Sequence, residues 1–229
     1  MHLKTLIAPR YWLAKLNKWV FERRFPDAPW LSESAVYLLD SWLRPMDRGI
    51  EWGVGRSSVW LASRVAHLTS VESDRAWYEQ TERLLRTKGV HDKVDLYYVP
   101  VDDANDSESP EAHPYSDIVD DMPDESIDFA LVDSFKLRLL CMEKIIPKIK
   151  PAGLLILDNS QRFFPNIILG EPSIAIVSRV KCLNERWSNI YDVLAQWREI
   201  TTTNGVSDTR MWVKPSDSTQ HRQKGLRNV

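Results

Sequence analysis

A chain of 229 residues with 43% hydrophobic content can bury one sizeable core and is too apolar for wholesale disorder. Its 30 Lys+Arg against 32 Asp+Glu leave a net charge of −2, which argues against a polyanion binder held by bulk electrostatics. Charges are scattered so that no long apolar span remains, and the distant Cys141 and Cys182 make neither a disulfide framework nor a cysteine zinc site. The opening MHLKTLIAPRYWLAKLNK lacks the apolar stretch of a secretory signal, so the expected location is the cytoplasm.

Residues 1–25 interleave Lys4, Arg10, Lys15, Lys18, Arg23 and Arg24 with Tyr11, Trp12, Trp19, Phe21 and Phe25. Trp12, Leu16, Trp19 and Arg23 recur at helical spacing, which predicts an amphipathic helix. Phe25-Pro26-Asp27-Ala28-Pro29 breaks it, and a second helix should start at Ser32 as N-cap and end before Pro45. Residues 1–45 are therefore expected to form a helical extension, acting as a lid over the domain that follows. Its basic face could lie on the acidic loop described below, or on an anionic membrane surface.

From Arg48 the pattern becomes strand, turn, helix, repeated. Strands are expected at Gly49–Trp52, Leu68–Glu72, Val94–Val99, Ile127–Val132 and Leu154–Leu157, with helices over 57–66, 74–88 and 137–149. This alternation predicts an α/β fold, Rossmann-like and doubly wound, spanning residues 46–214. Two further strands, Val193–Thr201 and Arg210–Lys214, should close the sheet around Asn204-Gly205. The polar residues 215–229 are expected to be a disordered tail. Residues 102–125 carry ten acidic residues and no Lys or Arg, in a connection long enough to be functional or a solvated loop.

Ligands of open α/β sheets bind beyond the carboxyl ends of the strands. The polar residues there are Glu51, Glu72, Asp102 with Asp103, Asp133, and Asp158 with Asn159. The first turn, Glu51-Trp52-Gly53-Val54-Gly55-Arg56-Ser57-Ser58, supplies glycines for a tight turn and a helix start for an anionic group. Glu72, about 20 residues on, is placed to accept both hydroxyls of a ribose. A dinucleotide pyrophosphate would suit a basic cleft, whereas these carboxylates suit S-adenosylmethionine, with its sulfonium, its ammonium and its single carboxylate.

The stretch from Gly49 to Asn159 resembles the class I S-adenosylmethionine-dependent methyltransferases. The resemblance rests on EWGVGRSS, VESD, IDFALVDSFK and KPAGLLILDNSQR in that order. It implies a seven-stranded sheet, mostly parallel, whose last strand is antiparallel. It implies that Gly53, Gly55 and Ser57 wrap the methionine part of the donor, with Glu51 near its amine. It further implies Glu72 at the ribose and Asp102 or Asp103 at the adenine. Two departures are Ser57 at a usual glycine-like position and Ala152 in a Pro-Gly-Gly-type turn, the latter expected to be neutral.

For the acceptor, Asp133-Ser134-Phe135-Lys136 and Asp158-Asn159 are similar to the magnesium site of catechol O-methyltransferase. That resemblance implies Mg²⁺ on Asp133, Asp158 and Asn159 and catalytic roles for Asp133, Asp158 and Lys136, with Lys136 the base. His113 is a second base candidate. The Asn/Asp-Pro-Pro-Tyr signature of exocyclic-amine methylation is absent after the fourth strand, and no basic stripe supports nucleic-acid binding. A small-molecule hydroxyl is the expected acceptor. The competing functions are a non-catalytic donor- or partner-binding protein and an NAD-dependent oxidoreductase.

Overall fold

The computed structural model describes residues 9–102, 112–164 and 185–216. Helix α1, Pro9–Arg24, and α2, Glu33–Trp42, precede β1, Arg48–Trp52. Then come α3, Arg56–Ala62; β2, His67–Glu72; α4, Arg75–Thr87; and β3, Val94–Tyr98. A single turn, α5, Pro114–Asp117, leads to β4, Ile127–Val132, followed by α6, Arg138–Ile145, and β5, Ile149–Leu157. The described chain ends with α7, Glu185–Leu194, and the hairpin of β6, Arg198–Thr203, and β7, Asp208–Val213.

The seven strands lie in the order β3-β2-β1-β4-β5-β7-β6. Pairings among β1 to β5 are parallel, and β7 runs antiparallel to both β5 and β6. The strand order reverses between β1 and β4, so the cleft of such a sheet opens at their carboxyl ends.

Successive side chains alternate between two cores, as the period of a strand requires. Phe129, Leu131, Leu154 and Ile156 face one layer with Ala35 and Leu39 of α2, Leu61 of α3 and Leu85 of α4. Ile50, Trp52, Ala130, Val132, Leu155 and Leu157 face the other with Met142 and Ile145 of α6 and Trp187 and Ile190 of α7. Both faces of the central strands are thus apolar, which is why Ile127–Val132 is apolar throughout except for Asp128.

Three sequence expectations are corrected. Val193 and Leu194 do not begin a strand; they end α7, because Trp187, Ile190 and Leu194 recur at helical spacing and bury together. The helix expected over 137–149 stops at Ile145, since Pro147 cannot continue it, and Ile149 already belongs to β5. Ala152 is not neutral: it holds a φ of 62°, a region that costs an L-residue about 1–2 kcal/mol.

Among the described residues, the acids of the long connection that form ion pairs find their partners on other elements. Asp117 and Asp120 pair with Lys144, Asp124 with Lys148, and Glu125 with Lys214. Residues 103–111 and the tail from 217 lie outside the described residues.

The N-terminal extension is stitched to the closing hairpin. Ser32 stands at the N-cap of α2 without capping it; its Oγ lies 2.6 Å from Thr202 Oγ1, and its N–H donates to Thr209 Oγ1 at 3.2 Å. Farther along, Gly205 at the hairpin turn sits so close to α1 that a Cβ there would come within 2.8 Å of Ala14.

Candidate functional site

A cavity of about 520 Å³ opens where the strand order reverses. Its floor is the turn Gly53-Val54-Gly55, and its walls include Glu72, Asp74, Asp133, Lys136, Arg56, Trp30 and Trp77. Gly53 is required by geometry. Its φ is +91°, and a Cβ would lie 2.8 Å from the Asp133 carbonyl oxygen. The β1 and β4 ends therefore touch backbone to backbone, and the Asp133 N–H donates to Trp52 O at 2.9 Å.

Glu72 fixes this floor. Its Oε2 accepts the Val54 N–H at 2.9 Å, and its Oε1 accepts the N–H groups of Ser73 and Asp74 at 2.6 and 2.7 Å. A carboxylate oxygen has about two acceptor positions, so Oε1 is filled and Oε2 retains one for a ligand hydroxyl. Asp74 in turn caps α4 by accepting the Trp77 N–H at 2.9 Å, and this places the Trp77 ring at the cavity wall. Trp77 meets Trp30 edge to face at 5.9 Å, and the Arg56 guanidinium lies over Trp30 at 4.9 Å.

Glu51 lies below this floor, in the layer of α3, with no exposed surface. Its Oε1 accepts from Ser70 Oγ at 2.7 Å, while its Oε2 is buried without a hydrogen-bond donor. Burial pushes its pKa up to about 7, although the hydroxyls of Ser58, Ser70 and Ser57 favour the charged form. Ser58 also accepts the Gly55 N–H at 3.1 Å, so Ser58, alongside Ser57, shapes the turn.

Asp133, Asp158 and Asn159 do converge, but around a guanidinium. Arg138 Nη2 donates to Asp133 Oδ1 at 3.1 Å, its Nη1 to the Asp158 carbonyl, and its Nε to the Ser134 carbonyl. The Asp158 carboxylate is already engaged on both oxygens, by Thr209 Oγ1 at 2.6 Å and by Asn159 Nδ2 at 2.7 Å. Desolvation and the facing Asp158 raise the pKa of Asp133, against the pull of Arg138. Burial likewise raises that of Asp158, opposed by Thr209 and by the charges of Arg138 and Lys18.

This donor set does not fit Mg²⁺. Arg138 takes up the Asp133 carboxylate and the Asp158 backbone carbonyl, the amide nitrogen of Asn159 faces the Asp158 carboxylate, and no group of three His, Cys, Asp or Glu side chains suited to a metal occurs among the described residues. Lys136 lines the cavity, and its Nζ donates to Val101 O at 3.0 Å, which makes it a tether between the β4 end and the segment after β3. Asp102 is described and exposed, whereas Asp103 lies outside the described residues. His113 accepts the Tyr115 N–H on Nδ1 at 3.0 Å and so caps α5.

Sequence reasoning missed Arg138, Arg56, Trp30 and Trp77. Asp74 four residues into VESDRAW was a legible cap for α4, and the cap fixes where Trp77 points. Nothing in the local pattern marks Arg138, whose partners come from two different strand ends.

No protein-family model and no curated protein matches this chain. Among solved structures it is similar to an O-methyltransferase from Bacillus cereus in complex with SAH. The two share 15% identity over 90% of this chain and 91% of that one, with a TM-score of 0.55. It is similar to a methyltransferase from Geobacter sulfurreducens, with 16% identity, 89% and 88% coverage and a TM-score of 0.51. An rRNA methylase from Streptococcus thermophilus gives 13% identity, 79% and 93% coverage and a TM-score of 0.52. At these identities the likeness establishes the fold, which is the Rossmann-like fold of the class I S-adenosylmethionine-dependent methyltransferases.

Proposed function

We propose that this protein is an S-adenosylmethionine-dependent methyltransferase acting on a hydroxyl of a small molecule. The observation that carries the reading is the cavity at the β1/β4 reversal. It combines a glycine turn with carboxylates at the ends of β2 and β4 and two flanking cations, Arg56 and Lys136, above the buried Glu51. That mixture complements a ligand with an ammonium, a sulfonium and one carboxylate.

In this reading Gly53 and Gly55 admit the methionine part, Glu51 below the turn compensates its ammonium, and Glu72 takes a ribose hydroxyl on Oε2. Trp30 and Trp77 offer aromatic surface near the cavity mouth. The acceptor oxygen attacks the methyl carbon in line with the C–S bond, that bond breaks, and the sulfonium becomes a neutral thioether. The acceptor proton passes to Asp133, whose raised pKa brings it toward the neutral range that suits a general base. Arg138 supplies the positive charge beside the Asp133 carboxylate.

Calorimetry with S-adenosylhomocysteine tests the reading. Wild-type protein should bind, and Glu72→Ala should lose about 1.5–3 kcal/mol, the scale of hydrogen bonds to a charged group. Absence of heat at millimolar ligand overturns it.

A further inference from the structure

Helix α1 has two apolar faces: among the described residues one is buried against the protein, and the other stays about half exposed. Tyr11, Ala14, Lys18 and Phe21 form the inward stripe, with Tyr11 and Phe21 buried and Ala14 against Gly205. On the opposite side Trp12, Leu13, Leu16, Trp19 and Val20 form one contiguous stripe, each between 48% and 60% exposed. Isolated exposed apolar residues need no explanation, but five together on one helix face mark an interaction surface.

Charge identifies the occupant. The helix carries five basic residues and one acid, in a chain whose net charge is −2. Lys15 flanks the outward stripe on one side and Arg24 on the other, while the Arg23 guanidinium lies over the Trp19 ring at 4.3 Å. A second copy docked face to face would bring two such basic rims together, at an electrostatic cost. An anionic surface meets them favourably. Tryptophans between an apolar stripe and a basic rim suit the boundary between acyl chains and headgroups. No helix among the described residues is long and apolar enough to cross a membrane, so the contact is one of lying on the surface.

We infer that the outward face of α1 docks this protein on an anionic lipid surface, with Leu13, Leu16, Trp19 and Val20 entering the interface and Lys15, Arg23 and Arg24 meeting the headgroups. The inference does not depend on the proposed activity.

Flotation of the full chain with vesicles tests it, comparing zwitterionic phosphatidylcholine with the same lipid containing phosphatidylserine. The protein should float with the anionic vesicles and be released by high salt. The Lys15→Glu/Arg23→Glu/Arg24→Glu variant should lose on the order of hundredfold in partitioning. Leu16→Asp/Trp19→Asp should lose vesicle binding while keeping its thermal melting temperature, since both side chains already face water. Failure of the wild type to float, or full binding by Leu16→Asp/Trp19→Asp, overturns the inference. So does a dimer that Leu16→Asp abolishes in a protein that ignores vesicles, because the occupant would then be a second copy.

Discussion

Arg138 and Asp133, five residues apart in sequence, close an ion pair at 3.1 Å that ties the end of β4 to the first turn of α6. Because the same guanidinium also holds the Asp158 carbonyl, it joins the carboxyl ends of β4 and β5. Its removal leaves Asp133, whose pKa is already raised, without its ion-pair partner beside the likewise raised Asp158. Arg138→Ala should therefore destabilise the fold by about 3–5 kcal/mol in urea denaturation at neutral pH, with part of the loss recovered at mildly acidic pH as one carboxylate takes a proton. Millimolar Mg²⁺ should leave the wild-type melting temperature unchanged.

Glu51 gives a pH dependence with a definite sign. Its pKa is about 7 folded against 4.5 unfolded, so across that window the folded state binds the proton more tightly. Its contribution to stability is therefore present below pH 4.5 and falls as pH rises toward 7. Glu51→Gln removes the buried charge and should be more stable than wild type at pH 8, by up to about 3 kcal/mol. Donor binding moves the other way. An ammonium near Glu51 requires the carboxylate, so affinity for S-adenosylhomocysteine should rise from pH 5.5 to about 7 in wild type and stay flat in Glu51→Gln.

Gly53→Ala places a methyl group against the Asp133 carbonyl at a positive φ. A loss of about 1–3 kcal/mol in stability is expected, together with loss of ligand binding in calorimetry, because the β1 and β4 ends must separate.

Ala152→Gly should do the reverse. The residue already holds a left-handed φ of 62° and donates its N–H to Lys214 O at 2.9 Å, so glycine relieves strain without losing a bond. A gain of about 1 kcal/mol by chemical denaturation is expected.

A double-mutant cycle separates two roles for Ser32. As a helix cap alone it would be uncoupled from Thr202; as a tertiary tie at 2.6 Å it should couple by about 0.5–1.5 kcal/mol. Ser32→Ala, Thr202→Val and the double variant, each melted at the same pH, measure the term.

The central sheet was legible because its strands are apolar runs bounded by glycine or a carboxylate; Ile127–Val132 is recovered end to end. The acidic strand ends were legible for the same reason, since a polar residue closing a buried strand stands out. What each carboxylate does there was not, because it depends on residues distant in the chain. Arg138 becomes the cation of the site only when β4 and β5 lie side by side, and Thr209 reaches Asp158 only once β7 runs antiparallel to β5. The Val193-Leu194-Ala195 run fits strand and helix equally well by itself, and burial of Trp187, Ile190 and Leu194, spaced three and then four residues apart, decides for the helix.

The ties from Ser32 to Thr202 and Thr209, and from Ala14 to Gly205, join the beginning of the described chain to its last hairpin. During synthesis Phe21 of α1 can meet Phe25 and Tyr37 early, whereas the hairpin turn that receives Ala14 is not made until some 190 residues later. The extension is translated before the hairpin that it meets. Until then its aromatic stripes are open to chaperones, to other nascent chains and to any lipid surface nearby, so the order of these encounters is set by the path of the chain itself.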